Sequence, residues 1–156
     1  MTQNRGKNFE SIIKHAFLKV PGVSIDRIPD QTMHHKGACN ICDFIVYKKP
    51  YEYYIECKSI STNLFPFSNV TINQWQGLLE KSNIEGVKAG VIVWWVKFDT
   101  TLFLPIQILD IWRNQVGLKS IKYDVWKKDL DVIKINGKKK RVFFDYDMTE
   151  FFTYFE

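Results

Sequence analysis

The run Gly90-Val91-Ile92-Val93-Trp94-Trp95-Val96 constrains this chain more than any other feature. Seven consecutive residues with no charge and mostly β-branched or aromatic side chains suit a strand buried on both faces, because alternate side chains must both find an apolar neighbour. A strand covered on both sides needs helices above and below its sheet, which points to a three-layer α/β (α+β) domain. The run is far too short for a membrane span of roughly 20 residues. At 156 residues, the length corresponds to one domain, 1–156.

The rest of the chain supplies the layers. Phe9, Ile12, Ile13, Ala16, Phe17 and Val20 follow helical spacing, and Pro21-Gly22 ends that helix. Asp43 to Tyr47 and Tyr51 to Cys57 are β-rich and flank Lys48-Lys49-Pro50, a hairpin signal. A loop with Phe65-Pro66-Phe67 follows, and a second helix begins near Thr71, with Ile72, Trp75, Leu78 and Leu79 as its apolar face. Thr101 to Leu104 reads as the neighbour of the buried strand, Ile106 to Trp112 as a short helix, and 148–155 as a last amphipathic helix. Asn136-Gly137, between Asp131 to Ile135 and Val142 to Tyr146, predicts a tight hairpin turn. Residues 23–42 show no clear period and read as a short strand and a loop.

Charge is unevenly spread. Residues 97–141 hold eleven Lys/Arg against five Asp/Glu, whereas the rest of the chain is close to balanced. A basic surface beside a separate set of acids suits an enzyme that cuts phosphodiesters, the cations holding the backbone while carboxylates hold a metal; a solvated lysine face is the plainer alternative. The polar segment Met1 to Lys7 contains no apolar signal core, and three cysteines without an export signal read as reduced thiols, so a cytoplasmic protein is expected.

Of the seventeen acidic residues only Glu56 has a lysine two positions on. Residues i and i+2 of a strand share a face, so Glu56 and Lys58 stand together. If the hairpin is symmetric about Lys49-Pro50, Asp43 falls opposite Glu56, where two carboxylates can share one divalent cation. An exposed cross-strand pair is the bland alternative. The spacing predicts Asp43 and Glu56 as metal ligands, with the backbone carbonyl of Cys57 beside them, and Lys58 as the cation that orients water and stabilises charge on the phosphorane. Glu10, on the border of the first helix's apolar stripe, can reach the edge of whatever that helix packs on, or sits as an ordinary acid in a first helical turn. Thr71-x-x-Gln74 has the form of a capping box.

The Asp43 to Glu56-x-Lys58 pattern is that of the restriction-endonuclease-like nucleases, PD-(D/E)xK. The chain further resembles the RecU-type Holliday junction resolvases of Gram-positive bacteria and their phages. The likeness is carried by Asn4-Arg5-Gly6 with Glu10, by Phe65-Pro66-Phe67 with Asn69 and Gln74, and by Gly90 to Val93 with Phe103-Leu104-Pro105 and Ile111-Trp112. Lys119-Ser120-Ile121 is similar to a further basic motif. The resemblance implies a central mixed sheet flanked by helices, Glu10 reaching the metal directly or through water, Gln74 holding the phosphate or the attacking water, and a homodimer that uses Mg²⁺ or Mn²⁺ to nick opposed strands of a four-way DNA junction. It departs from the family in three places: the basic N-terminal tail is nearly absent, the stalk segment before the catalytic aspartate has at most Val23 to Asn40, and Cys42 stands where bacterial members carry threonine. A flap or nicking nuclease and a silent DNA-binding module of the same fold are the competing readings.

DNA contacts are expected at Arg5, Lys7, Arg27, His34, His35 and Lys36, and at Lys138, Lys139 and Lys140 beside the predicted turn. Cys39-x-x-Cys42 after His34-His35 has a zinc-like look, but it lacks a second cysteine pair and reads as plain thiols. Trp94-Trp95 and Phe151-Phe152 read as core or dimer interface rather than as base-stacking platforms.

Overall fold

A computed structural model describes residues 2–29, 40–125 and 131–156. The apolar run, Gly90 to Val96, forms the C-terminal part of β5 (Val87–Trp95) and the residue after it, and the sheet is built outward from that strand. β5 lies parallel to β3 (Tyr51–Ile60) on one side and antiparallel to β6 (Thr100–Pro105) on the other. With β1 (Ser24–Arg27), β2 (Phe44–Lys48) and β8 (Ile133–Ile135), the order is β1-β2-β3-β5-β6-β8, a mixed six-stranded sheet. The parallel step from β3 to β5 runs through α2 (Ile72–Ser82), as parallel strands require a crossover.

Both faces of β5 are covered, as expected. Ile92 and Trp94 join Phe9, Ile13 and Phe17 of α1 (Thr2–Leu18) and Phe151 and Phe152 of α4 (Thr149–Thr153). Val91, Val93 and Trp95 join Trp75 and Leu78 of α2 and Leu109 of α3 (Ile106–Asp110). The tryptophans and the Phe151-Phe152 pair are therefore core residues, all at 3% exposure or less. Gly90 is required where it stands: a Cβ there would come within 2.5 Å of the Leu104 carbonyl and 2.6 Å of the Phe103 ring.

The β2–β3 hairpin has the predicted register, with Phe44 opposite Ile55 through Lys48 opposite Tyr51 around a cis Lys49–Pro50 bond. Three expectations change. Helix α1 begins at Thr2, so Glu10 lies in its middle rather than in a first turn where the helix dipole could serve it. Asn136-Gly137 does not turn a hairpin. Ile133 and Ile135 are buried and pair with β6, whereas the chain beyond them forms β9 (Gly137–Lys139), which pairs with β10 (Phe144–Tyr146) in a separate ribbon. Burial of two isoleucines in the main sheet outweighs a local turn preference, and Gly137 serves close approach instead, since a Cβ would sit 2.9 Å from Tyr146 Cδ1. Finally, Phe65-Pro66-Phe67 is no plain loop: β4 (Leu64–Pro66) pairs with β7 (Ser120–Lys122) and Phe67 N–H donates to the Lys119 carbonyl at 3.0 Å.

Candidate active site

Asp43 lies one position beyond the last β2–β3 pair. Its N–H donates to the Ile55 carbonyl at 3.1 Å, and its own carbonyl accepts from Ile28 N–H at 2.8 Å. Its carboxylate turns toward β3, where Oδ2 accepts the Cys57 N–H at 2.8 Å. Glu56 is 3% exposed. Lys58 Nζ stands 2.9 Å from Glu56 Oε1, confirming that the two share a face. Glu56 Oε2 is buried and has no hydrogen-bond partner.

Burial and mutual repulsion make this a reluctant pair of anions. Burial, followed by the charge of Glu56, pushes Asp43 up to about 7; the Cys57 amide and Lys58 oppose the shift without cancelling it. Burial also raises Glu56, and Lys58 and the Gln74 side chain pull it back. A site that leaves one carboxylate oxygen orphaned and holds another carboxyl near neutrality lacks positive charge. Among the described residues no three His, Cys, Asp or Glu close a metal cage. A hard cation such as Mg²⁺ does not need one, since it takes one or two carboxylates and completes its octahedron with water and phosphate oxygens. Asp43 and Glu56 fit that requirement.

Glu10 is the third acid. It acts electrostatically on both Asp43 and Glu56, yet its Oε2 is held at 3.0 Å by Arg27 Nη2 from β1. That pairing escapes sequence reasoning, which treated Arg27 only as a DNA contact. Gln74 makes the capping box and also lies beside the acids. Its backbone and Oε1 close the capping box with Thr71, at 3.2 and 3.1 Å, while its side chain also lowers Glu56. The Cys57 thiol faces the opposite core and is pushed far up by burial, so only its backbone belongs to the site. Cys42 is buried, donates to the Phe44 carbonyl at 3.3 Å and is pushed up to about 12 by burial, followed by the charge of Glu56.

The expected DNA contacts divide into two sets. Lys7 and Arg27 line a groove of about 590 Å³ on the outer side of α1, together with Glu10, Lys14 and His15. Lys14 was legible from the sequence as a cation seven residues, two helical turns, from Lys7. Arg5 is half-buried on the same helix, its Nε without a hydrogen-bond partner. Lys138, Lys139 and Lys140 are exposed on the β9–β10 ribbon, away from the carboxylates, and Lys139 is engaged by Asp99 at 2.7 Å. His34, His35, Lys36 and Cys39 lie outside the described residues.

A mixed sheet between helical layers, with an Asp and a Glu-x-Lys meeting across one hairpin, defines a restriction-endonuclease-like nuclease domain. The chain belongs to the recombination protein U (RecU) family of Holliday junction resolvases, whose profile matches residues 24–146. The structure is similar to that of Hjc, a Holliday junction resolvase from the archaeal hyperthermophile Archaeoglobus fulgidus. The TM-score is 0.57 and the identity 18%, over 78% of this chain and 92% of that chain, a likeness of fold. No curated protein matches the chain. Among the described residues no helix is long and apolar enough to cross a membrane.

Proposed function

We propose that the protein is a metal-dependent endonuclease that resolves four-way DNA junctions in the cytoplasm, as a homodimer whose two sites nick opposed strands. Family membership supports the reaction class. The observation that carries the reading is the meeting of Asp43, Glu56 and Lys58 on one sheet face with Glu56 Oε2 left unpartnered.

Asp43, Glu56 and the Cys57 carbonyl would hold Mg²⁺, with Mn²⁺ as a substitute. Once bound, the ion supplies Lewis-acid polarisation of the scissile phosphate and a more acidic water. The Cys57 amide fixes the Asp43 carboxylate, so one oxygen stays aimed while the other is available. Lys58, anchored by Glu56, presents its ammonium to the attacking water and to charge growing on the phosphorane, where a preorganised donor is worth most. Gln74 orients phosphate or water from the first turn of α2, and Glu10 contributes directly or through water once its carboxylate turns from Arg27. Lys7, Arg27 and the ribbon lysines supply the charge that holds a DNA backbone. Two nicks of matched geometry require two sites about a twofold axis, hence the dimer.

The test is a cleavage assay on four-way junction, flap and linear duplex substrates in Mg²⁺, beside Asp43→Asn. Paired nicks in the junction, absent in the variant, are expected. Cleavage of flaps alone would redirect the substrate, and an Asp43→Asn protein as active as wild type would remove the mechanism.

A further inference from the structure

A second groove, of about 780 Å³, opens at the start of α2. Arg113, Asn114 and Lys119 line one wall, and Ser68, Thr71 and Ile72 the other. Its two cations meet no Asp or Glu among the described lining residues. Two further observations say that Arg113 is placed. First, α3 runs on into a π-helical turn, Ile111–Gln115, which carries Arg113 and Asn114; such turns are uncommon and gather at functional sites. Second, the Arg113 guanidinium lies 4.7 Å from the centroid of the Trp75 ring. Trp75 is itself fixed, its Nε1 donating to Asp110 Oδ1 at 2.9 Å, and the same oxygen accepts Asn114 Nδ2 at 2.7 Å. A stacked, exposed guanidinium keeps its donor edge outward while losing little further freedom on binding.

The groove is also coupled to the candidate active site. Thr71 lines it and closes the capping box with Gln74, whose side chain acts on Glu56, and Trp75 is the next residue along α2. We propose that this groove is a second nucleic-acid subsite, which takes the sugar–phosphate backbone flanking the scissile phosphate, with Arg113 and Lys119 each on a phosphate. This rests on the nuclease reading above and adds to it the path of the strand. A polyanion meets two cations and no acid among the lining residues here, while the nearby Asp110 carboxylate is engaged by Trp75 and Asn114; a second copy of this chain would have to bring carboxylates into the groove. Ile72, on the wall facing the cations and 67% exposed, suits contact with sugars rather than with water.

The experiment measures binding of four-way junction DNA across roughly 50 to 200 mM salt, with Asp43→Asn present throughout so that cleavage does not intrude. Loss of one phosphate contact lowers the log–log salt slope by about 0.9 and weakens binding about eightfold near 0.1 M salt. Arg113→Ala and Lys119→Ala should each do this with unchanged melting temperature, and Arg113→Lys should retain the slope. Wild-type affinity and slope in Arg113→Ala overturn the subsite. So does an Arg113→Ala protein that sediments as monomer where the parent is a dimer, since the groove is then a protein interface. If the chain with Asp43 intact cuts no branched DNA in Mg²⁺ yet Arg113→Ala still lowers the slope in the Asp43→Asn background, the nuclease reading falls and the subsite stands.

Discussion

The Cys57 amide lies 2.8 Å from Asp43 Oδ2, so the aspartate is held by the strand that carries Glu56 and Lys58. Fourteen residues of separation collapse to one hydrogen bond because the β2–β3 hairpin folds back on itself in the one register that brings them level. The same closeness keeps two carboxylates in a dry place, and several measurable consequences follow from it.

Neutralising either acid should trade activity for stability. Asp43→Asn and Glu56→Gln are expected to lower junction nicking by at least about a hundredfold. In EDTA at pH 8 both should melt higher than wild type, by a few degrees, since each removes one of two repelling, poorly solvated charges. Thermal unfolding beside a single-turnover assay checks both halves.

Stability of the metal-free protein should fall with pH because of Asp43. Its folded pKa of about 7 lies above the ordinary 3.8, so between those values the folded state binds more protons than the unfolded. The contribution is complete below about 4 and is lost as pH rises through 7. Melting temperature should therefore gain from Asp43→Asn much more at pH 8 than at pH 5; an equal gain at both would place the raised pKa elsewhere.

Divalent ions should reverse that trend. Mg²⁺ bound only by the folded state raises melting temperature by mass action, and it must displace the Asp43 proton at lower pH. The Mg²⁺-induced shift is expected to be larger at pH 8 than at pH 6, and absent in Asp43→Asn.

Gln74 offers a separation of roles. Gln74→Ala loses the reciprocal bond to Thr71 and should cost about 1 kcal/mol of stability. Gln74→Glu retains a capping box but sets another carboxylate against Glu56, so nicking should fall while denaturant stability stays nearer wild type. Equal activity in Gln74→Glu and wild type would reduce the residue to a cap.

The Glu10–Arg27 pair is partly solvated, with side chains 20% and 36% exposed, and should contribute less than about 1 kcal/mol to folding. On the proposed mechanism its effect is expected in catalysis. Arg27→Ala and Glu10→Ala should each slow nicking, and the double variant should be no slower than the worse single one; full additivity would mean the two act separately.

The sequence alone determined the layered α/β core, through a strand with no polar face, and it determined the hairpin register. Alternation in a two-strand unit leaves few ways to bury Phe44, Val46, Tyr53 and Ile55 together, so Asp43 opposite Glu56 followed from local rules. Glu-x-Lys was legible for the same reason. Longer-range relations were not. Asn136-Gly137 looked like a turn because turn preference is read from neighbours, while the pairing of Ile133 and Ile135 with β6 depends on a strand some thirty residues earlier. The contact of Arg27 with Glu10 joins an edge strand to a helix, and the seating of Arg113 on Trp75 joins two helical segments. Neither leaves a periodic trace in the chain. Only packing of whole layers brings such side chains together, because the hydrophobic core fixes where each element lies before any polar pair can form.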